Sequence, residues 1–203
     1  MVRGKMKIIG ITGGIGTGKS TVLEILKNDY GAFVIEADRV AEALMKKGNS
    51  AYADIVDRFG EDILDAEGEI DRKKLGEQVF NDKKKLEELN SITHGRVREE
   101  ILSTIERVRA SGEKSLVFIE AALLIECGYK DICDTMWYVM TKRDIRLKRL
   151  EEGRGIDRER AEAIMASQSD ENFYLINTDV IILNDGDIDK LKLRLKYAVA
   201  SCT

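Results

Sequence analysis

The stretch Gly10–Thr21, GITGGIGTGKST, constrains this chain more than any other. Gly13-Gly14-Ile15-Gly16-Thr17-Gly18-Lys19-Ser20 fits G-x-x-x-x-G-K-[ST]. An apolar run, Met6–Thr12, leads into it, and Val22, Leu23, Ile25 and Leu26 follow at helical spacing over Ser20–Asn28. A second short strand is predicted at Ala32–Ile35, ending in the acids of AFVIEAD. Strand, glycine turn, helix, strand is the opening of a parallel α/β sheet. The glycines allow positive φ, so backbone N–H groups can turn inward and make a nest for oxyanions. The helix starting near Ser20 adds the positive end of its dipole. Lys19 is placed to neutralise β- and γ-phosphates, and the Ser20 hydroxyl to ligate Mg²⁺. The donor is therefore read as a nucleoside triphosphate.

The rest of the chain repeats the alternation. Strands are predicted at Leu116–Ile119, in TMWYVM and at Val180–Leu183, giving five in all. Residues 39–111 read as helical, with Val97, Ile101, Ile105 and Val108 on one face of a long helix. DAEGEID, Asp65–Asp71, reads as a turn or small hairpin. Lys142–Glu152 reads as a charged helix, with Asp157 as N-cap of the next. Ile188, Leu191, Leu195 and Ala198 give the closing helix its buried face. The fold class is α/β, a three-layer αβα sandwich on a five-stranded parallel sheet. The core covers about 1–38, 112–141 and 176–203, the helical insert about 39–111, and a lid with its following helix about 142–175.

Composition excludes several functions. The net charge of −4 lacks the basic field that broad nucleic-acid binding requires, so no nucleic-acid partner is expected. No apolar run is long enough to cross a bilayer, and the basic N-terminus runs straight into a strand, which predicts neither membrane nor export. Cys127, Cys133 and Cys202 are spaced like structural thiols of a reducing cytoplasm. With His94 as the single histidine, a Cys/His zinc site is not expected.

The acceptor must be read from other residues. Glu36 and Asp38 follow the second strand, where Asp38 suits either a base for an acceptor hydroxyl or a helix N-cap. Glu120 ends the third strand, where it would hold a Mg²⁺-bound water or play a structural part. TKRDIRLKRLEEGRG carries Lys142, Arg143, Arg146, Lys148, Arg149 and Arg154, a cationic lid or a solvated face. A GTPase switch would need DxxG after strand three, and VFIEAALLIE has no glycine. TKRD, Thr141–Asp144, meets such a switch's second requirement only in part. A small-molecule kinase explains more of these residues.

Taken in order, the motifs resemble the dephospho-coenzyme A kinase family along nearly the whole chain. TGGIGTGKST and VIEADRVA resemble its first signatures, DRKKLGEQVFND and LEELNSITH its insert, and ALLIE its mid-chain substrate motif. RLKRLEEGRG, ASQ and DVIILNDG resemble its lid and final strand. The resemblance implies transfer of the ATP γ-phosphoryl group to the ribose 3′-hydroxyl of dephospho-coenzyme A, with Mg²⁺, in the cytoplasm. That is the last step of coenzyme A synthesis, and no obligate protein partner is expected. It implies ATP contacts by Gly14, Ile15, Gly16, Thr17, Gly18, Lys19, Ser20, Thr21 and Asn184, the last in the loop expected near the adenine. Catalysis falls to Lys19, Asp38, Arg149 and Arg154, and metal support to Ser20 and Glu120. Asp38, Arg39, His94, Leu123, Leu124 and Glu126 fall on the acceptor side. The chain departs from the pattern at Glu42 and Gly153, where arginines are usual, at Gly95 and Ala122, where prolines are, and at Tyr174, where a basic residue is. Two alternatives remain: another P-loop kinase acting on a nucleoside or nucleotide, or a nucleotide-binding member with a decayed acceptor site.

Overall fold

The computed structural model describes residues 6–80 and 82–202. The basic residues before Met6, Asn81 of the insert motif, and Thr203 lie outside the described residues. The chain forms two compact units, residues 1–35 with 111–203, and residues 36–110.

The first unit is built on a parallel sheet of five strands: β1 (Lys7–Thr12), β2 (Phe33–Glu36), β3 (Leu116–Glu120), β4 (Thr135–Met140) and β5 (Val180–Leu183). Their order is β2-β3-β1-β4-β5, which puts β1 at the centre. The registers Ile11↔Glu120, Thr12↔Tyr138 and Met140↔Leu183 end β1 and β3 within a residue of each other, while β4 and β5 end together about two residues further on. In an open parallel sheet the ligand crevice lies beyond the carboxyl ends, where the strand order reverses. Here that point is the end of β1, with β3 on one side and β4 on the other.

Helices α1 (Lys19–Tyr30) and α9 (Ile188–Cys202) cover one face of the sheet. Val22, Leu23, Ile25 and Leu26 of α1 meet Ile9, Ile11, Phe118, Trp137 and Val139, and Leu191, Leu195, Ala198 and Val199 of α9 complete that core. Ile188, expected on this buried face, is instead exposed. It is the first residue of α9, where the chain is still leaving the sheet edge. On the other face Tyr138 stacks on Tyr174 of α8 (Glu171–Asn177), ring centroids 5.0 Å apart and 10° from parallel. Between β4 and α8 lie α6 (Arg143–Arg154) and α7 (Arg158–Ala166). Leu147 and Leu150 pack there against Ala161, with Ile15 alongside. Asp157 caps α7 by accepting the Arg160 N–H at 2.8 Å. Lys142 is the cap residue of α6 rather than part of its first turn, and the helix runs on to Arg154 before Gly155 turns left-handed.

The second unit holds α2 (Ala37–Leu44), α3 (Ser50–Phe59), α4 (Arg72–Val79) and most of α5 (Lys83–Ser111). Ala51, Ile55, Phe59, Ile63, Leu75 and Val79 form its core. A small hairpin, closed by the antiparallel bridge Leu64↔Ile70, leads to Asp71, whose carboxylate accepts the Lys73 and Lys74 N–H groups and starts α4. Val97, Ile101, Ile105 and Val108 are all buried along α5.

Candidate active site

The segment joining β1 to α1 takes a conformation that only glycine accepts readily. Gly13, Gly16 and Gly18 have φ of 154°, 78° and 82°. Gly18 caps α1 with no side-chain bond to the first-turn N–H groups, which leaves that end of the helix to an anion. Ser20 and Thr21 follow in the first turn, both exposed.

The loop carbonyls are taken up by side chains. Lys19 Nζ donates to the Gly13 carbonyl at 2.6 Å, and the Thr17 hydroxyl to that of Gly14 at 2.8 Å. Arg146 Nε donates to the Ile15 carbonyl at 2.8 Å. The Thr17 carbonyl accepts from Asn184 Nδ2 at 2.8 Å, Thr141 Oγ1 at 3.0 Å and Arg149 Nη1 at 3.3 Å. Thr141 and Asn184 are the residues directly past β4 and β5, so the aligned strand ends supply the supports. Arg149 Nη2 also reaches the Asn184 carbonyl at 3.0 Å. With its oxygens taken up by side chains, the loop is held in this shape.

At the end of β3, Glu120 lies 3.7 Å from Lys19 Nζ. A lysine, a carboxylate and a first-turn serine hydroxyl are the donor set expected for a phosphate chain with a hard divalent cation. Mg²⁺ takes one or two protein oxygens and completes its shell with phosphate and water. The side chains of Ser20 and Glu120 fit that demand.

In the second unit, Asp38 is the second residue of α2 and exposed. The cap position belongs to Glu36, which makes no side-chain cap bond, so Asp38 is not the N-cap. Arg39 pairs with Glu36 at 3.2 Å. A cleft of about 440 Å³ is lined by Asp38, Arg39, Ala41, Glu42, Met45 and Arg72. Glu42, at a position where an arginine was expected, pairs with Arg72 at 3.4 Å. The positive charge of this cleft thus comes from Arg39 and from α4.

A family model described as dephospho-CoA kinase matches residues 7–190. The chain belongs to that family. It is 39% identical to a dephospho-CoA kinase of Moorella thermoacetica over 193 residues, 95% of this chain and 91% of that protein. A dephospho-CoA kinase of Corynebacterium diphtheriae is 41% identical over 188 residues, covering 92% of each. The solved dephospho-CoA kinase from Campylobacter jejuni superposes with a TM-score of 0.69 at 29% identity, covering 95% of each chain. Members of the family use a nucleotide phosphoryl donor and a small-molecule acceptor.

The structure disposes the dephospho-CoA kinase motif residues unevenly. Leu123 is 52% exposed, whereas Leu124 is wholly buried, its Cδ2 beside the face of Gly10. Glu126 accepts the Ser169 hydroxyl at 2.8 Å. Burial, and then the Glu126 charge, pushes the Cys127 thiol up, so it stays protonated. His94 is exposed in mid-α5, where Gly95 continues the helix unbroken. Asn184 is only 6% exposed and its amide is committed to Thr17, an inward brace. Arg154 ends α6, exposed. Five residues at 3.6 per turn turn it about 140° away from Arg149, while Gly153 shares the face of Arg146 and Arg149. Tyr174 replaces a charge with the ring that stacks on Tyr138. Sequence reasoning did not single out Thr141, Arg146, Gln168 or Arg72. Arg146 looked like its neighbours in a charge run, and Gln168 lies 153 residues from the loop it touches.

Proposed function

We propose that this chain transfers the γ-phosphoryl group of ATP to the ribose 3′-hydroxyl of dephospho-coenzyme A, giving coenzyme A in the last step of its synthesis. The observation that carries the reading is the braced glycine loop, whose carbonyls are bound by side chains while the start of α1 is left without a side-chain cap, a site suited to an anion. Among the described residues no helix is long and apolar enough to cross a membrane, and we assign the enzyme to the cytoplasm.

In this reading Gly14 to Thr21 cradle the phosphate chain, and Lys19 follows charge onto the transferred group. Phosphoryl transfer asks a protein mainly for positioning and charge stabilisation. Ser20 and Glu120 would hold Mg²⁺, which would supply neutralisation of the phosphate chain's negative charge. Asp38 takes the proton of the acceptor hydroxyl. Arg39, His94, Leu123 and Glu126 bind the acceptor, with residues 39–111 as its insert, while Leu124, wholly buried, is not among the contacts. Residues 142–175 are the lid, from which Arg149 acts, Arg154 being turned about 140° from it on α6, and Asn184 supports the nucleotide through its brace on Thr17. Residues 1–38, 112–141 and 176–203 form the core.

A coupled assay of ADP release tests this, with dephospho-coenzyme A set against a panel of nucleosides and nucleotides. Turnover is expected with dephospho-coenzyme A, and preference for another acceptor overturns the assignment. Asp38→Asn is expected to lower kcat by about 10²–10⁴ with ATP affinity near normal. Undiminished turnover in that variant removes Asp38 from the mechanism.

A further inference from the structure

Arg146 leaves α6 three residues before Arg149 and lies against Gly14 and Ile15 of the phosphate loop. A β-carbon added to Gly14 would collide with Arg146 Nη2 and fall 2.8 Å from Gln168 Oε1. Two hydrogen bonds fix the guanidinium and a third closes the ring. Nε donates to the Ile15 carbonyl at 2.8 Å, Nη2 donates to Gln168 Oε1 at 3.2 Å, and that oxygen also accepts the Ile15 N–H at 2.9 Å. The result is a closed ring of guanidinium, loop peptide and glutamine amide.

Every partner in the ring is neutral. Among the described residues Arg146 makes no ion pair, and its other N–H groups have no partner. Glu171 is felt only at longer range, and burial, the larger influence, pulls the guanidinium below its ordinary pKa. A half-buried cation without a counter-charge costs free energy in the unliganded chain. Its five donors in a planar fork match the oxygens of a phosphate. The counter-charge that fits at this loop is therefore the ligand's own.

We propose that Arg146 is a phosphate-binding residue of the nucleotide site, its unengaged N–H groups receiving oxygens of the donor's phosphate chain. Gln168 is a positioning residue that fixes the plane of the guanidinium beside the loop. This rests on reading the loop as a triphosphate cradle.

The test is calorimetric titration with ATP in the absence of any acceptor, using wild type, Arg146→Met, Arg146→Lys, Gln168→Leu and the Arg146→Met/Gln168→Leu double variant. Arg146→Met is expected to weaken ATP binding by about 10- to 100-fold. The ligand-free melting temperature should fall by a few degrees at most, because loss of the bonds to Ile15 and Gln168 is offset in part by removal of an unpaired charge. Arg146→Lys, keeping the charge without the fork, should fall between wild type and Arg146→Met. Gln168→Leu should weaken binding less, and in the double variant should add almost nothing to the loss from Arg146→Met. ATP affinity of Arg146→Met within about twofold of wild type overturns the proposal, since a charge-assisted bond cannot be that weak. A lowered ligand-free melting temperature with ATP affinity retained also overturns it and leaves Arg146 a brace. Full additivity in the double variant removes the positioning role of Gln168. Wild-type protein that binds no ATP brings down the triphosphate reading itself, a distinct result.

Discussion

Asn184→Ala separates two roles for one side chain, adenine contact or loop brace. The amide is nearly buried and donates from Nδ2 to the Thr17 carbonyl at 2.8 Å. Its removal loses one neutral hydrogen bond, a net cost of about 0.5–1.5 kcal/mol. The Thr17 carbonyl is not orphaned, because Thr141 Oγ1 at 3.0 Å and Arg149 Nη1 at 3.3 Å still reach it. The backbone carbonyl of residue 184 also keeps its bonds to Arg149 and Thr141. A small void beside Gly18 adds a few tenths more, giving about 1–2 kcal/mol in total. In a chain of this size that lowers the melting temperature by about 2–8 °C.

The ligand-free protein should show this shift by calorimetry. ATP and GTP affinities should weaken together, by about 3- to 10-fold, since the loop grips phosphates and not the base. A second measurement isolates the contact. A β-carbon at Gly18 would collide with Asn184 Nδ2, and φ there is 82°. Gly18→Ala should therefore cost more alone than in the Asn184→Ala background, where only the left-handed backbone penalty of about 1–2 kcal/mol remains. An unchanged melting temperature with loss of ATP but not GTP binding would refute the brace and restore the adenine contact.

Two further outcomes follow from titrating groups. Burial, and then the Glu171 charge, pushes the Tyr138 phenol up to about 12 from an ordinary 10.0. Its contribution is complete below pH 10.0 and is lost as pH climbs toward about 12, so Tyr138→Phe should flatten the alkaline fall in urea-melt stability over that window. A fall of the same slope in both proteins refutes this. Arg96 donates to Asp54 at 2.6 Å and holds its carboxyl below the ordinary range, so the stabilisation is present at neutral pH and lost as acid protonates the folded carboxylate. Arg96→Met should return the Asp54 titration, followed by carbon NMR, to higher pH.

The sequence carried structure wherever the determining contacts were local. Strands β4 and β5 were legible to the residue because each is a short apolar run between turn signals. The α5 face was legible because four apolar residues recur at helical spacing. The phosphate loop was legible because its glycines, lysine and serine are contiguous. What escaped depends on strand order, which no local pattern encodes. Only the placement of β4 and β5 beside β1 brings Thr141 and Asn184 to Thr17. The charged face of α6 escaped for another reason. Arg146 and Lys148 read alike in a run of cations, yet one meets Ile15 and the other pairs with Glu152 in solvent.

The supports around the loop explain why a glycine-rich segment can serve as a rigid anion site. Glycine makes the left-handed turns accessible but also enlarges the set of conformations the loop must give up. Here carbonyls from Gly13 to Thr17 are held by Lys19, Thr17, Arg146, Arg149, Thr141 and Asn184. Much of the ordering cost is therefore met during folding, leaving less to be drawn from phosphate binding. The same economy ties the site to the sheet, because Thr141 and Asn184 follow directly from its strands. A loop whose amides are aimed in advance stabilises charge without reorganising as the phosphoryl group moves, which is the larger part of what this chemistry asks of a protein.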